Sequence, residues 1–320
     1  MNVIIIEGLA FALPLFIIAI GGIYSERSGI TNLALEGLLG FGAFAGAAFV
    51  MAVTGGDLAG REVPMFLVAL IVSVVGGAIY AMLHALLCVK FKANQVISGV
   101  VINILAMALT AFLTSQLNTI MFGKPTNKFV LGICNKFTVP GISKIPVLGA
   151  FFTDVYIYIP IIIGVALVAW YVLYKSRFGM RLRACGDNPH AVDAAGISVS
   201  KVRFLAVMVS GALAGLGGIC FAYSISASFS PSIYAGYGYL AIAALIFGNW
   251  KIMPTLGACL LFGFARSAGY KLAQVLGLSS AFSDVIMILP YVLTLLLLMF
   301  FSSNNRAPRA LGEIYDKSKR

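Results

Sequence analysis

Apolar residues run almost unbroken through windows at about 3–23, 30–53, 65–88, 95–117, 155–174, 204–223, 237–249, 252–268 and 284–301. Most of these windows hold about 20 residues, which as helix rise about 30 Å, the thickness of a hydrocarbon core. The pattern predicts an all-α fold: a polytopic membrane bundle of about nine helices, or eight to ten, because "FGNWKIMP" interrupts the short seventh and eighth windows. The opening "MNVIIIEGLAFALPLFIIAIGGIY" carries no Lys or Arg ahead of its apolar run and no small-residue cleavage pattern. It reads as a first membrane helix that is retained, not as a signal peptide.

The polar breaks orient the spans. "CVKFKAN" with Lys90 and Lys92, the stretch Lys175–Phe204 and the tail "NNRAPRALGEIYDKSKR" are net basic, which predicts a cytoplasmic side for all three. "TGGDLAGREVP" is net acidic and suits the opposite side. Residues 118–154 carry Lys124, Lys128, Lys136 and Lys144, yet parity places them outside. That charge counts against the scheme, although a segment of roughly 35 residues weighs less in orientation than a short loop. The resulting expectation is a transmembrane domain over 1–303 with an extracytoplasmic loop at 118–154, a basic loop at 175–203 and a basic cytoplasmic tail at 304–320. The C-terminus is expected inside and, with nine spans, the N-terminus outside.

Composition agrees. The chain has 320 residues, of which 61% are hydrophobic and 10% charged, and its mean hydropathy is +1.00. A soluble domain carries about a quarter charged residues, so this chain has too few to cover a surface facing water. The net charge of +11 would suggest nucleic acid in a soluble protein. Here the basic residues cluster between spans, so the partner they imply is membrane lipid, with no nucleic acid. Five scattered cysteines and two histidines indicate neither a disulfide framework nor a metal site. No Ser/His/Asp or Cys/His array suggests an enzyme, and no G-x-x-x-x-G-K-[ST] is present to cradle ATP. Energy has to come from a partner or an ion gradient.

The densest charge sits mid-chain, in "KSRFGMRLRACGDNPHAVDAAGISVSKVRF". Asp187 or Asn188 is placed to cap a helix with Pro189 at its first position, and Gly196 to end it. A plain inside loop accounts for the basic residues, but not for a capped, alanine-rich helix between them. The alternative is a docking surface.

At these residues the chain resembles a known family. "GMRLRACGDNPHAVDAAGISVSKVRFLAVMVSGALAGLGG" is similar to the cytoplasmic coupling segment and following helix of ATP-binding-cassette importer permeases, in the branch serving nucleosides, simple sugars and branched-chain amino acids. "SERSGITNLALEGLLGFGAFAGA" and "ANQVISGVVINILAMALTAFL" resemble the second and fourth spans of nucleoside and simple-sugar permeases, and "GYGYLAIAALIFGNWKIMPTLGACLLFG" the late helical pair. The resemblance implies a permease in a bacterial-type cytoplasmic membrane. By the same resemblance it would pair with a second permease subunit, a paralogue or itself. Two cassette ATPases beneath would carry ATP and Mg, and an extracytoplasmic substrate-binding lipoprotein would deliver solute. No cofactor is expected in the chain itself. Its coupling helix would comprise Gly186, Asp187, Asn188, Pro189, Ala191, Ala194, Ala195 and Gly196, of which Ala191, Ala194, Ala195 and Gly196 are small enough to allow close backbone approach to an ATPase. The flanking Arg181, Arg183, Lys201 and Arg203 would meet lipid phosphates or acidic residues of a partner.

Polar residues inside spans supply candidates for the solute path. Asn32 and Glu36 lie four apart, on one face of the second span, amid Gly37, Gly40, Gly42 and Gly46, which allow that helix to pack closely or break. Gln95, Ser98 and Asn103 form a second set early in the fourth span, where amides suit ribose hydroxyls and base edges, and Asn103, the deepest, is the better placed to line a path. Asn94 is placed to cap that helix. Tyr237 and Tyr239, with Phe229 and Tyr234, offer either base stacking or an interfacial aromatic belt. Each polar residue also has a bland reading as a helix–helix hydrogen bond. His84 is expected to be packed and hydrogen-bonded, and Arg266 and Asp284 to pair. The leading expectation is an alternating-access permease for nucleosides, purine nucleosides first. The alternatives are simple sugars such as ribose or galactose, branched-chain amino acids, and an ion-coupled secondary transporter with Glu36 or His84 titrating.

Overall fold

The computed structural model describes residues 2–57, 60–132, 136–138, 153–232, 234–277 and 306–317, with isolated positions besides. Among them the chain forms α1 (Asn2–Arg27), α2 (Leu35–Thr54), α3 (Glu62–Ala85), α4 (Gln95–Phe122) and α5 (Tyr158–Lys175). There follow two short helices, α6 (Arg177–Asp187) and α7 (Pro189–Ala194), then α8 (Val199–Phe221), α9 (Tyr237–Phe247) and α10 (Ile252–Val275). Wide π-turns extend α3 through Leu86–Lys90 and α8 through Ala222–Ser226. Seven of these stretches are long and apolar enough to cross a membrane. The predicted seventh span is corrected: α9 has 11 residues, a rise of about 16 Å, or roughly half a bilayer core. The predicted ninth window, 284–301, lies almost entirely outside the described residues.

Helix α8 is the hub, with α1, α2 and α3 packed around it. Its "SGALAGLGG" run is buried throughout except Ala212, and small residues do the packing. A Cβ added at Gly77 would strike the Gly211 carbonyl of α8, and one at Gly42 would strike Gly215. In lipid, helices gain little from hiding apolar surface, since the alternative environment is equally apolar. Close van der Waals contact between small residues supplies the adhesion instead.

The second span departs from expectation. Residues 28–34 are not α-helical, and α2 begins only at Leu35, so Asn32 and Glu36 do not share a helical face. Local chemistry explains the break. Ser25 Oγ donates to the Ile30 carbonyl at 2.9 Å and Ser28 Oγ to the Ser25 carbonyl at 2.6 Å. Gly29 adopts φ +95°, which ends α1 where an L side chain would be strained.

Two strand pairs form the end where α1 begins. β1 (Phe129–Val130) pairs with β4 (Ser228–Phe229), and β2 (Lys136–Phe137) with β3 (Val155–Tyr156). These are local exceptions to the all-α expectation. Lys136 lies 3.6 Å from Glu7 and sits over the Tyr156 ring. The opposite end gathers α6, α7, the Leu86–Lys90 turn and the C-terminal tail.

Candidate functional site

A non-helical segment at membrane depth exposes backbone groups that water cannot reach, so side chains have to satisfy them. Three of the polar residues singled out in the spans, Gln95, Asn103 and His84, do this at the α1–α2 break. Gln95 Oε1 accepts from the Thr31 amide at 2.7 Å. Asn103 Nδ2 donates to the Leu33 carbonyl at 2.8 Å while its Oδ1 accepts from the Gly37 amide at 2.7 Å. Ser98 Oγ meets His84 Nδ1 at 2.8 Å, and His84 Nε2 reaches toward the Thr31 carbonyl at 3.4 Å. Asn32 Nδ2 donates to Ser210 Oγ of α8 at 2.7 Å. Asn94 caps α4, its Oδ1 accepting from the Val96 and Ile97 amides.

One cavity of about 280 Å³ adjoins this framework, lined by Glu36, Gly40, Asn103, Thr110, Pro231 and Tyr239 among others. The Glu36 carboxylate accepts the Gly236 amide at 2.5 Å and the Gly238 amide at 2.6 Å, and so caps the first turn of α9 inside the bundle. Gly236 supports that start with φ +94°. Tyr239, 45% exposed, accepts from Asn103 Nδ2 at 3.0 Å. Ile104 and Met107, also in the lining, are exposed on α4, so the cavity opens sideways from the bundle. A carboxylate, an amide, a threonine hydroxyl and a phenol around one space can exchange hydrogen bonds with a neutral, hydroxyl-rich solute.

Of the seven path candidates, Glu36, Asn103 and Tyr239 share this cavity. Gln95 and Ser98 are buried beside the break, and Asn32, within it, is buried and turned to Ser210 of α8. Tyr237 is buried against Phe11 and Phe221, with ring centroids at 5.2 and 5.0 Å. Thr110 and Pro231 were not singled out from sequence. Thr110 lies two turns from Asn103 on α4, and that spacing was the available signal.

The mid-chain basic stretch holds two helices rather than one. Ser176 Oγ accepts from the Gly179 amide at 3.1 Å and starts α6. Asp187 is its last residue. Asn188, not Asp187, caps α7, accepting from the Ala191 amide at 3.0 Å, with Pro189 following. Gly196 closes the element at φ +78°. Ala191, Ala194, Ala195 and Gly196 are exposed, as are Asp187 and Asn188, while Pro189 and Val192 face inward. Gly186 is buried as well, and a Cβ there would strike the Arg27 carbonyl. A groove of about 470 Å³ runs along Arg181, Ala184, Ala191 and Ala195.

At this end one expectation is corrected and one contact has no signal in the sequence. Arg203 does not point to lipid: it is 2% exposed, and its guanidinium donates to the carbonyls of Ser28 at 3.0 Å and Glu313 at 2.9 Å, with Cys185 at 3.5 Å. Trp250 Nε1 donates to Glu26 at 2.5 Å, and Arg27 Nε to the Trp250 carbonyl at 3.1 Å. Arg266 lies over the Phe11 and Tyr270 rings; its expected partner Asp284 is outside the described residues.

The tail is bound along its length. The Arg306 amide donates to Asn249 Oδ1 at 2.9 Å, the Ala310 amide to the Gly186 carbonyl at 2.8 Å and the Gly312 amide to the Gly29 carbonyl at 3.1 Å. Lys92 pairs with Asp316 at 2.8 Å and Lys317 with Asp193 at 3.7 Å.

Residues 4–298 match the family described as "Branched-chain amino acid transport system / permease component". The chain is 38% identical to the guanosine ABC transporter permease protein NupQ of Bacillus subtilis (strain 168), over 100% of this chain and 98% of that protein. It is also 38% identical, with the same coverage, to the nucleoside ABC transporter permease protein NupC of Lactococcus lactis subsp. cremoris (strain MG1363). A second B. subtilis guanosine permease protein, NupP, is 29% identical over 77% of this chain and 68% of its own length.

Proposed function

Because the chain belongs to the branched-chain amino acid transport system / permease component family, and is a multi-pass transport subunit and not an enzyme, we propose that it carries nucleosides through an ATP-driven importer. The observation that carries this reading is the full-length 38% identity to two permeases named for guanosine and nucleosides. The cavity at Glu36, Asn103 and Tyr239 serves as this subunit's share of the solute path. Its sideways opening leaves the path to be completed by a second permease, and the likeness to both NupQ and NupP of one organism supports a paralogue in that role.

In this reading α7 is the coupling helix. Its exposed alanines seat against a cassette ATPase, which supplies ATP and Mg, and an extracytoplasmic binding protein delivers solute to the other end. The end bearing α6, α7 and the tail is cytoplasmic. The C-terminus therefore lies inside, and α1 begins outside beside β2 and β3. ATP closure of the motor displaces α7, and the flanking spans α5 and α8 tilt with it. Any bias between inward and outward states comes from the differential binding of ATP and of the loaded binding protein.

The test is reconstitution of this chain with its partner permease, ATPases and binding protein in liposomes. Uptake of labelled guanosine that requires ATP and the ATPases is the expected result. Uptake by this chain alone under a proton or sodium gradient would overturn the reading in favour of a secondary transporter.

A further inference from the structure

We propose that Arg203 is a positioning residue for coupled transport: it fixes the C-terminal tail as a strap that ties the coupling helix to the α1–α2 break and to the α9–α10 turn. The inference rests on α7 being that helix.

Arg203 sits at the start of α8, nine-tenths or more hidden, where a charge is tolerated only if every donor finds an acceptor. Its planar fork reaches three carbonyls from three separate segments: Ser28 at the α1–α2 break, Cys185 in α6, and Glu313 in the tail. The tail then repeats the same connections through its own backbone. The Ala310 amide donates to Gly186 at the end of α6 and the Gly312 amide to Gly29 at the break. Before these contacts, the Arg306 amide is held by Asn249 in the α9–α10 turn. After them, Lys317 pairs with Asp193 on α7.

A basic tail that served only to orient the chain would have no reason to spend backbone hydrogen bonds on three elements of the bundle. Instead it links the element moved by the motor with the two segments whose other ends meet at Glu36, since α2 and α9 both begin beside that carboxylate. A displacement of α7 thus reaches the cavity through the tail as well as through α5 and α8. The pattern of contacts supplies a contiguous physical network with named members.

The experiment uses the complete reconstituted transporter and reads solute moved per ATP hydrolysed. Three variants are compared with the parent: Arg203→Gln, Ala310→Pro, which removes the amide held by Gly186 and leaves the rest of the tail in place, and a chain ending at Asn305. Each is expected to lower the ratio at least about fivefold, the lower edge of a coupling interaction, with ATPase copurification and basal hydrolysis retained. Arg203→Lys should recover part of the ratio, because it restores charge and donors without the fork. A parental ratio in the chain ending at Asn305 would overturn the proposal. So would loss of the ATPases from that chain, since the tail would then be a docking surface for the motor. Should that chain fail to reach the membrane, Ala310→Pro decides by the same ratio. A parent that moves solute without ATP would refute the importer reading itself, a different result from a parent that is coupled and variants that match it.

Discussion

The Glu36 carboxylate and the Gly238 amide meet at 2.6 Å, joining the first turn of α2 to the first turn of α9. The Gly236 amide adds a second bond to the same carboxylate at 2.5 Å. A half-length helix inside a bilayer leaves its first amides without partners, and an acceptor supplied by another helix removes that cost. Glu36 is thus part of the scaffold that begins α9 as well as part of the cavity wall.

Replacement of Glu36 should act in graded fashion. Glu36→Gln keeps one acceptor oxygen, whereas Glu36→Ala keeps none and forfeits a cap of about 1 kcal/mol. The expected order of uptake per transporter is parent, then Gln, then Ala, at similar membrane levels by immunoblot. Equal uptake in parent and Glu36→Ala would show that the α9 start is held by something else.

Asn103 and Tyr239 touch each other yet should give different phenotypes. Asn103→Ala orphans the Leu33 carbonyl and the Gly37 amide, at about 1–3 kcal/mol per buried group. Its thermal midpoint in detergent should fall. Tyr239→Phe loses only a hydroxyl on the cavity wall, so the midpoint should hold and the KM for nucleoside should rise. Matching thermal losses in the two variants would contradict this division.

The bundle itself was legible in the sequence because apolar run length reports span length directly. The capped helix near Asn188 was legible for a similar reason: cap, proline and terminal glycine are local signals, and Asn188, Pro189 and Gly196 sit where those signals place them. The α1–α2 break was not legible. It depends on Ser25 and Ser28 turning their hydroxyls to the backbone and on acceptors and donors brought from α4, which are long-range contacts. Depth in the span favours Asn103 over Gln95 as a lining residue, and the fold sets Asn103 on the cavity wall and Gln95 against the Thr31 amide. Arg203 was misread because a basic residue beside a span usually meets lipid, and the three carbonyls that hold it come from residues up to 175 positions away.

Glycine substitutions should divide by location. A Cβ at Gly211 would strike the Gly77 carbonyl and the Ala81 side chain, whereas nothing lies within 4 Å of one added at Gly40. Gly211→Val should therefore cost several kcal/mol and sharply reduce folded protein, because overpacking alone costs about 1–3 kcal/mol and the adhesion of α3 to α8 is lost as well. Gly40→Ala should match or slightly exceed the parental midpoint, given the roughly 1 kcal/mol by which Ala exceeds Gly in a helix. Size-exclusion recovery and thermal midpoint in detergent check both.

Cys185 offers a readout of packing at the tail end. It is buried in α6, and burial pushes its thiol up to about 11, partly countered by the nearby Arg203 charge. The thiolate is the reactive form, so raising the pKa lowers reactivity at pH 8 and shifts its gain to higher pH. In a chain whose other four cysteines are replaced by alanine, maleimide labelling should be negligible at pH 8 and complete only after denaturation. Rapid labelling of the native chain at pH 8 would show that α6 is not packed as described.

The exposed alanines of α7 carry the last prediction. Ala191 and Ala195 face outward beside Arg181 and Ala184, while Val192 and Pro189 hold the helix to the bundle. A bulky charge at an outward position leaves the buried contacts intact, so Ala195→Arg should fold and reach the membrane normally. At a close-packed contact with a motor, the same side chain adds volume where none is free, a cost of about 1–3 kcal/mol. Because 1.4 kcal/mol is a factor of ten in an equilibrium, solute moved per ATP should fall about tenfold or more while the ATPases continue to hydrolyse. Ala191→Glu should act in the same direction. If both variants transport at the parental ratio, the exposed face of α7 does not meet the motor, and the contact has to be sought elsewhere on the tail end.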